Sequence, residues 1–365
     1  MPARTLPSDP SLANLRNQAR TLQRQVRAGH PEALAVLREF HPRPAELGQA
    51  GSGGLPAFSL ADAQLVTARR YGFASWPRLR RHLDVVAAYT RIPVREDGGA
   101  AGSGDSASSG DSASSGVTDP SGRVDEFLRL ACLRYDRDDP ARWARAGELL
   151  AAHPETGVNG IWAMAAAGEA GAAAAALAAD PGLASREGGP MRWAPLMYAA
   201  YSRVPPTPGR STLEVARLLL AAGADPNTGY LWHGLPSPFT ALTGAFGRGE
   251  GDQPPHPQAT GLAALLLEAG ADPNDSQALY NCGLAGGGPD DDGSDDDGYL
   301  RILLRYGLGA GTGGPWHARM GFTHPSPAEL LDEELLKAAV QGRPGRDRLL
   351  LEHGADPRGI GRAHV

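Results

Sequence analysis

The chain has 365 residues, a net charge of −6 and 41% apolar residues. No apolar run is long enough to span a membrane, the amino terminus lacks the apolar core of a secretory signal, and two cysteines are too few for a disulfide framework or a zinc cluster. We therefore expect a cytoplasmic protein with two or three domains and no general attraction to nucleic acid.

Residues 1–92 predict a small helical module. Apolar residues from Leu12 to Val26 recur at steps of three and four, while arginines from Arg16 to Arg27 occupy another face of the same helix. Further helices are predicted over 31–40, from Ser59 to about residue 72, and from Ser75 to about residue 89. The first 90 residues contain 12 arginines against six acidic residues, so this module is basic although the chain is acidic.

Residues 93–122 differ from both flanking segments. They are rich in Gly, Ser and Asp and contain a nearly exact internal duplication, 103–108 and 109–114. Such a segment has little apolar surface to bury, so we expect a disordered linker.

The segment 123–365 repeats one phrase. Apolar leucine-rich stretches end in Gly-Ala-Asp-Pro at 218–227, 265–274 and 349–357, and a degenerate copy lies at 302–307. Each phrase predicts a helix that ends before a glycine, because glycine adopts the left-handed conformation without a Cβ penalty. The chain is therefore modular, and each unit must pack on its neighbours to bury its apolar face.

These phrases, with the segments that precede them, resemble ankyrin repeats. First-helix matches lie at 194–200, 240–245, 277–282 and 333–339, and two divergent helix pairs are predicted upstream, at 127–152 and 162–184. The resemblance implies an all-α fold, an ankyrin-repeat helical solenoid of about six divergent repeats behind the small amino-terminal helical module. It also implies a role in binding other proteins.

The sequence departs from the ankyrin pattern in its spacing. The phrase glycines are 47, 37 and 47 residues apart, against about 33 in the standard unit. We therefore expect insertions that extend from the repeats, at 203–211, 247–261, 286–298 and 309–327. The first-helix histidine of the family is also absent, and its positions carry Met197, Thr243, Tyr280 and Leu336. We expect its hydrogen bonds to be lost and the stability to be below that of a consensus array.

Two other features concern the ends of the chain. Residues 68–79 are similar to a segment seen at the front of many actinobacterial ankyrin-repeat proteins, a resemblance that implies no activity. No polar closing helix follows Pro357. We therefore expect the last unit to fray or to dock on something, unless the reading frame is truncated.

Two Trp-His pairs are the candidate partner-binding residues. Tyr230, Trp232 and His233 lie in one finger, and Trp316 and His317 lie in one insertion, both of which we expect to project. Aromatic residues at loop tips often anchor interfaces. The alternative is that each tryptophan folds back and packs on its own segment.

We expect no metal, cofactor or catalytic site. The acidic run 290–298 lacks the ligand spacing of a calcium loop and predicts a solvated surface loop. No nucleophile elbow, metal-binding His-Glu pair or phosphate loop occurs.

The sequence therefore favours a non-catalytic module that binds a protein partner on the concave face and fingers of the stack, with no small-molecule substrate. The alternative is an adaptor whose basic amino-terminal module binds nucleic acid. That partner is less favoured, because no aromatic ladder or recognition-helix signature accompanies the arginines. An enzyme hidden in the insertions would need a pocket of His, Asp and Glu from several loops.

Overall fold

The computed structural model describes residues 4–6, 10–47, 55–91, 120–136, 138–251, 253–283 and 297–358. These residues form 17 α-helices and three short strands, so the fold is mostly helical. The chain divides into two compact units, of which the first is built mainly from residues up to Thr90 and the second contains the helices after residue 120. No described helix combines the length and the apolar character needed to cross a membrane.

The first unit contains four helices, close to those the sequence predicts. They are α1 (Leu12–Arg27), α2 (Pro31–Phe40), α3 (Leu60–Arg70) and α4 (Trp76–Tyr89), followed by the two-residue strand β1 (Thr90–Arg91). Helix α1 packs on α2 and α3, and α3 packs on α4. Ser59 caps α3 together with Asp62 in a capping box.

The second unit is a series of helix pairs. The pairs are α5 (Pro120–Ala131) with α6 (Pro140–Ala152), α7 (Ile161–Ala167) with α8 (Ala170–Ala179), α9 (Pro195–Tyr201) with α10 (Thr212–Ala221), α11 (Ala241–Phe246) with α12 (Ala259–Glu268), α13 (Ser276–Gly283) with α14 (Gly298–Arg305), and α16 (Pro327–Val340) with α17 (Pro344–Glu352). The first helices contact one another in chain order from α5 to α16, and the second helices do so from α8 to α14. Each inner pair therefore packs on the pair before it and the pair after it.

The glycines of the repeated phrase end their helices as predicted. Gly223, Gly270, Gly307 and Gly354 have φ values of +94°, +98°, +101° and +97°. The central leucines of the four phrases are fully buried in one hydrophobic cluster: Leu219, Leu266, Leu303 and Leu350. The four phrases thus share a single core.

The insertions occupy two different positions. Those at 203–211 and 247–261 lie between the two helices of a pair, and residues 284–296 between α13 and α14 fall outside the described residues. The insertion at 309–327 lies between pairs and forms helix α15 (Gly314–Met320). Its fold was not predicted.

Three local features were not expected from the sequence. Helix α5 begins at Pro120, inside the segment 93–122 assigned to the linker, whose residues up to 119 are outside the described part. The finger after α10 is a β-hairpin of β2 (Gly229–Trp232) and β3 (Pro238–Thr240). Asp297, expected in a solvated loop, is 1% exposed because Arg346 pairs with it at 3.0 Å in the interior. The boundaries at 92/93 and 122/123 stay predictions.

Candidate functional site

The finger that follows α10 is tied to the next repeat by one asparagine. The Nδ2 of Asn227 donates to the carbonyl of Gly270 at 2.9 Å, and its Oδ1 accepts from the amide of Asp272 at 2.8 Å. The side chain is 9% exposed, so both bonds are shielded from water. A buried amide that satisfies two backbone groups fixes the separation of adjacent fingers.

A second asparagine repeats this arrangement one unit later. The Nδ2 of Asn274 donates to the carbonyl of Ala310 at 3.0 Å, and its Oδ1 accepts from the amide of Gly309 at 2.8 Å. Both asparagines follow Asp-Pro in the repeated phrase. The sequence analysis assigned these asparagines no role. Their identical position in two copies of the phrase was the signal that could have identified them.

The hairpin is packed through Tyr230. This side chain is 3% exposed, and its ring stacks on Trp193 at 5.2 Å and on Phe239 at 5.6 Å. Trp232, at the other end of β2, is half-buried, with its ring 6.3 Å from Phe239. Tyr230 therefore anchors the finger, whereas Trp232 keeps part of its surface accessible.

His233 begins the turn of the hairpin. It is exposed and has a φ of +50°, in the left-handed region. Of the residues predicted for this finger, His233 is the most accessible, because it lies at the tip rather than on a strand.

Helix α15 lies against the same finger. Trp316 is 4% exposed, and its Nε1–H donates to the carbonyl of Asn227 at 2.9 Å. A Cβ added to Gly229 would lie 3.2 Å from the Trp316 ring, so the ring packs directly on the start of β2. Trp316 thus packs at the base of the finger, whose other end carries Trp232 and His233.

The Arg319 guanidinium lies 4.9 Å from the centre of the Trp316 ring. For Trp316 and Tyr230, this geometry corresponds to the packing alternative of the sequence analysis. Partner contact by these two residues stays a prediction.

His317 lies beside a second histidine of the insertion. It is half-buried, its Nδ1 is 3.3 Å from the carbonyl of Pro325, and its ring lies 6.0 Å from that of His324. His324 is 2% exposed and contacts the Ser276 hydroxyl through Nε2 at 3.2 Å. Burial lowers the pKa of His324, so this residue is held neutral.

Two first helices do not offer an accessible face. Every residue of α9 and α11 is buried. The segment after α5 lies along them: the amide of Leu133 donates to the carbonyl of Tyr201 at 2.8 Å, and the Tyr135 hydroxyl donates to the carbonyl of Gly247 at 3.0 Å. The first helices α9 and α11 therefore expose no side chain, and binding on the concave face stays a prediction.

Thr243, which occupies one position of the first-helix histidine in the ankyrin pattern, belongs to a network of threonine hydrogen bonds. Thr240 caps α11, and Thr243 reaches back to the amide of Thr240 at 3.1 Å. Both hydroxyls also donate to the buried carboxylate of Asp275 on the next unit. Hydrogen bonds expected to be lost at Thr243 are thus made by other groups, and burial raises the pKa of Asp275 to about 6.

One buried arginine holds the loop between α11 and α12. Arg203 is 5% exposed and donates to the carbonyls of Pro254 and Gly244, both at 2.8 Å, and to that of Ala200 at 3.2 Å. Carbonyls near helix carboxyl ends carry partial negative charge, which favours a cation. Desolvation lowers the pKa of this guanidinium.

The described residues contain no candidate metal site. No set of three or more His, Cys, Asp or Glu side chains there could hold a metal ion. Cys132 and Cys282 are buried, and burial raises the pKa of Cys132 to about 12 and that of Cys282 as well. Neither thiol is a thiolate at neutral pH.

Comparison with known proteins gives one match. A family model described as "Ankyrin repeat" matches residues 191–229, which contain α9, α10 and the segment with Asn227 that leads into the finger. Searches of the curated proteins and of the solved structures returned no match.

Proposed function

Because the chain contains an ankyrin repeat at residues 191–229, we propose that the second unit is a non-catalytic module that binds a protein partner. In this proposal residues 123–365 form an ankyrin-type helical solenoid of about six divergent repeats, preceded by the amino-terminal module and a linker. Ankyrin repeats generally serve as interaction domains, and the proposal needs no cofactor or small-molecule substrate.

The observation that carries the proposal is the shared core of the repeated phrases. Leu219, Leu266, Leu303 and Leu350 are all fully buried in one cluster, and Asn227 joins one finger to the next unit. Repeats that contact only their neighbours build an extended surface, which suits recognition of another macromolecule. The rigidity of that surface comes from the buried asparagine bridges.

We place the binding surface on the fingers rather than on the first helices. Trp232, His233 and His317 retain accessible surface. Tyr230, on the same strand as Trp232, and Trp316, next to His317, are buried. An aromatic and imidazole surface on a rigid support loses little conformational entropy on binding.

Affinity purification from a host cell extract tests this function. The baits are the full chain, the double variant His233→Ala/His317→Ala, and a control double variant, Arg217→Ala/Arg301→Ala, whose residues are exposed on α10 and α14. We expect a protein that is retained by the wild type and the control and lost with the histidine variant. Thermal melting establishes that all three baits are folded.

Two results would count against the proposal. Retention of no protein by the wild-type chain would remove the interaction role. Equal retention by the histidine variant and the wild type would remove the finger surface as its site.

A further inference from the structure

The exposed face of α1 is a separate surface whose chemistry the proposed function does not use. Four arginines, Arg16, Arg20, Arg24 and Arg27, are exposed on this helix. At about 100° per residue they fall within one stripe of about 80°. The stripe extends about 16 Å along the axis, since each residue adds about 1.5 Å.

The rest of the exposed face is mainly polar and uncharged. Asn17 and Thr21 are exposed next to the arginine stripe, Asn14 and Gln25 are exposed further round the helix, and Ala13 is exposed within the stripe. Leu15, Ala19 and Val26 lie on the opposite side and are buried. The accessible face therefore consists mainly of guanidinium, amide and hydroxyl groups, and α1 contains no acidic residue.

No carboxylate of the described residues neutralises this stripe. Within the described part of the first unit, the ion pairs are His41 with Asp62 and Arg43 with Glu46, and neither involves α1. Arg24 donates to the Thr21 hydroxyl at 3.3 Å, and Arg27 donates to the carbonyl of Phe58 at 2.9 Å. Among the described residues, Arg24 and Arg27 therefore make hydrogen bonds to neutral groups and no ion pair.

From this face we infer that α1 is a docking surface for duplex DNA. Arginines contact phosphates, whereas Asn, Gln and Thr side chains contact phosphates and base edges, and all of these occur together here. A helix of about 10–12 Å diameter fits the B-form major groove, which is about 12 Å wide. The deep, narrow major groove of A-form RNA does not admit it.

The structure shows which residues face the arginines of α1, a point that the sequence left open for the nucleic-acid alternative. The sequence predicted an arginine face without showing whether acidic groups from α2 or α3 pair with it. In the structure α2 and α3 pack on the apolar side of α1, so the polar side stays exposed. The inference is independent of the protein-binding role proposed for the second unit.

Fluorescence anisotropy with the full chain and a labelled 20-base-pair duplex tests the inference. The test variant is Arg16→Gln/Arg20→Gln/Arg24→Gln. The matched control is Arg78→Gln/Arg80→Gln/Arg81→Gln, which removes the same charge from exposed positions of α4. Glutamine preserves helix propensity, and circular dichroism establishes that both variants are folded.

We expect the wild type to bind the duplex at 50 mM salt and to weaken steeply towards 200 mM. Each lost phosphate contact lowers the slope of log K against log salt by about 0.9, so the α1 variant should lose about 2 to 3 units of slope. Its affinity at 50 mM salt should fall at least tenfold. The α4 control should change affinity less than about twofold.

Three results would overturn the inference. The first is no binding of the wild type at 50 mM salt. The second is an equal loss in both variants, which would indicate diffuse charge attraction. The third is binding of duplex or single-stranded RNA as tight as that of DNA, which would exclude major-groove docking.

Discussion

Replacing Trp316 by alanine should destabilise the second unit strongly, because this side chain is structural in the observed arrangement. It is 4% exposed, and its Nε1–H satisfies the carbonyl of Asn227. Truncating a buried tryptophan costs about 3–5 kcal/mol. Leaving a buried carbonyl without a donor accounts for about 1–3 kcal/mol of such a loss.

The matched variant Trp316→Phe separates these two contributions. It keeps most of the ring packing but cannot donate to Asn227, so we expect a loss of about 1–3 kcal/mol. His233→Ala, at an exposed position of the same finger, should cost less than about 0.5 kcal/mol.

Urea unfolding followed by circular dichroism at 222 nm measures all three changes. For a unit of this size, a loss of 4 kcal/mol corresponds to a melting temperature lower by about 8–16 °C. A change below about 1 kcal/mol in Trp316→Ala would refute the packing role and would favour direct contact with a partner instead.

The remaining predictions concern buried polar groups. Asn227→Ala should cost about 2–4 kcal/mol in urea unfolding, since it orphans two backbone groups, whereas Arg217→Ala on the exposed face of α10 should change stability little. Arg346→Met should cost about 3–5 kcal/mol in urea unfolding, because it removes the buried guanidinium that pairs with both Asp297 and Glu334. Burial lowers the pKa of His256 from 6.5 to about 3, so its contribution to stability is complete above pH 6.5 and is lost as the pH falls. When the pH is lowered from 7.5 to 5, the free energy of unfolding of His256→Asn should therefore fall by about 2 kcal/mol less than that of the wild type. Burial raises the pKa of Asp275 from 3.8 to about 6, so its contribution to stability is complete below pH 3.8 and is lost as the pH rises through 6. When the pH is lowered from 7.5 to 5, the free energy of unfolding of Asp275→Asn should therefore fall by about 1.4 kcal/mol more than that of the wild type, as pH-dependent melts would measure.

Local patterns predicted the helices well. The helix ends at Gly223 and Gly270, the capping box at Ser59 and the first helices of the matched phrases all follow from rules that involve a few adjacent residues. These features need no knowledge of distant contacts, which is why one sequence was sufficient.

Contacts between distant segments were not predictable in the same way. Tyr135 lies over α11, more than 100 positions further along the chain, and Trp316 bonds to Asn227. Both contacts depend on the direction in which an insertion folds back, and glycine spacing carries no information about that direction. The same reason explains why the sequence placed the two Trp-His segments on separate projections.

The candidate site was predicted only in outline. The residues around the fingers were identified from their aromatic character, but composition does not distinguish an anchor such as Tyr230 from an accessible group such as His233. Burial separates them, and burial depends on Trp193 and Phe239, which no local pattern linked to the hairpin.

Hydrogen exchange of the full chain, with and without Asn227→Ala, tests the central claim that adjacent helix pairs form one stack joined at the fingers. If the claim is right, this single change will accelerate amide exchange both in α9–α10 and in α11–α12, because the asparagine bridges these two helix pairs. Faster exchange confined to the finger at 225–228, with α11 and α12 unchanged, would contradict it.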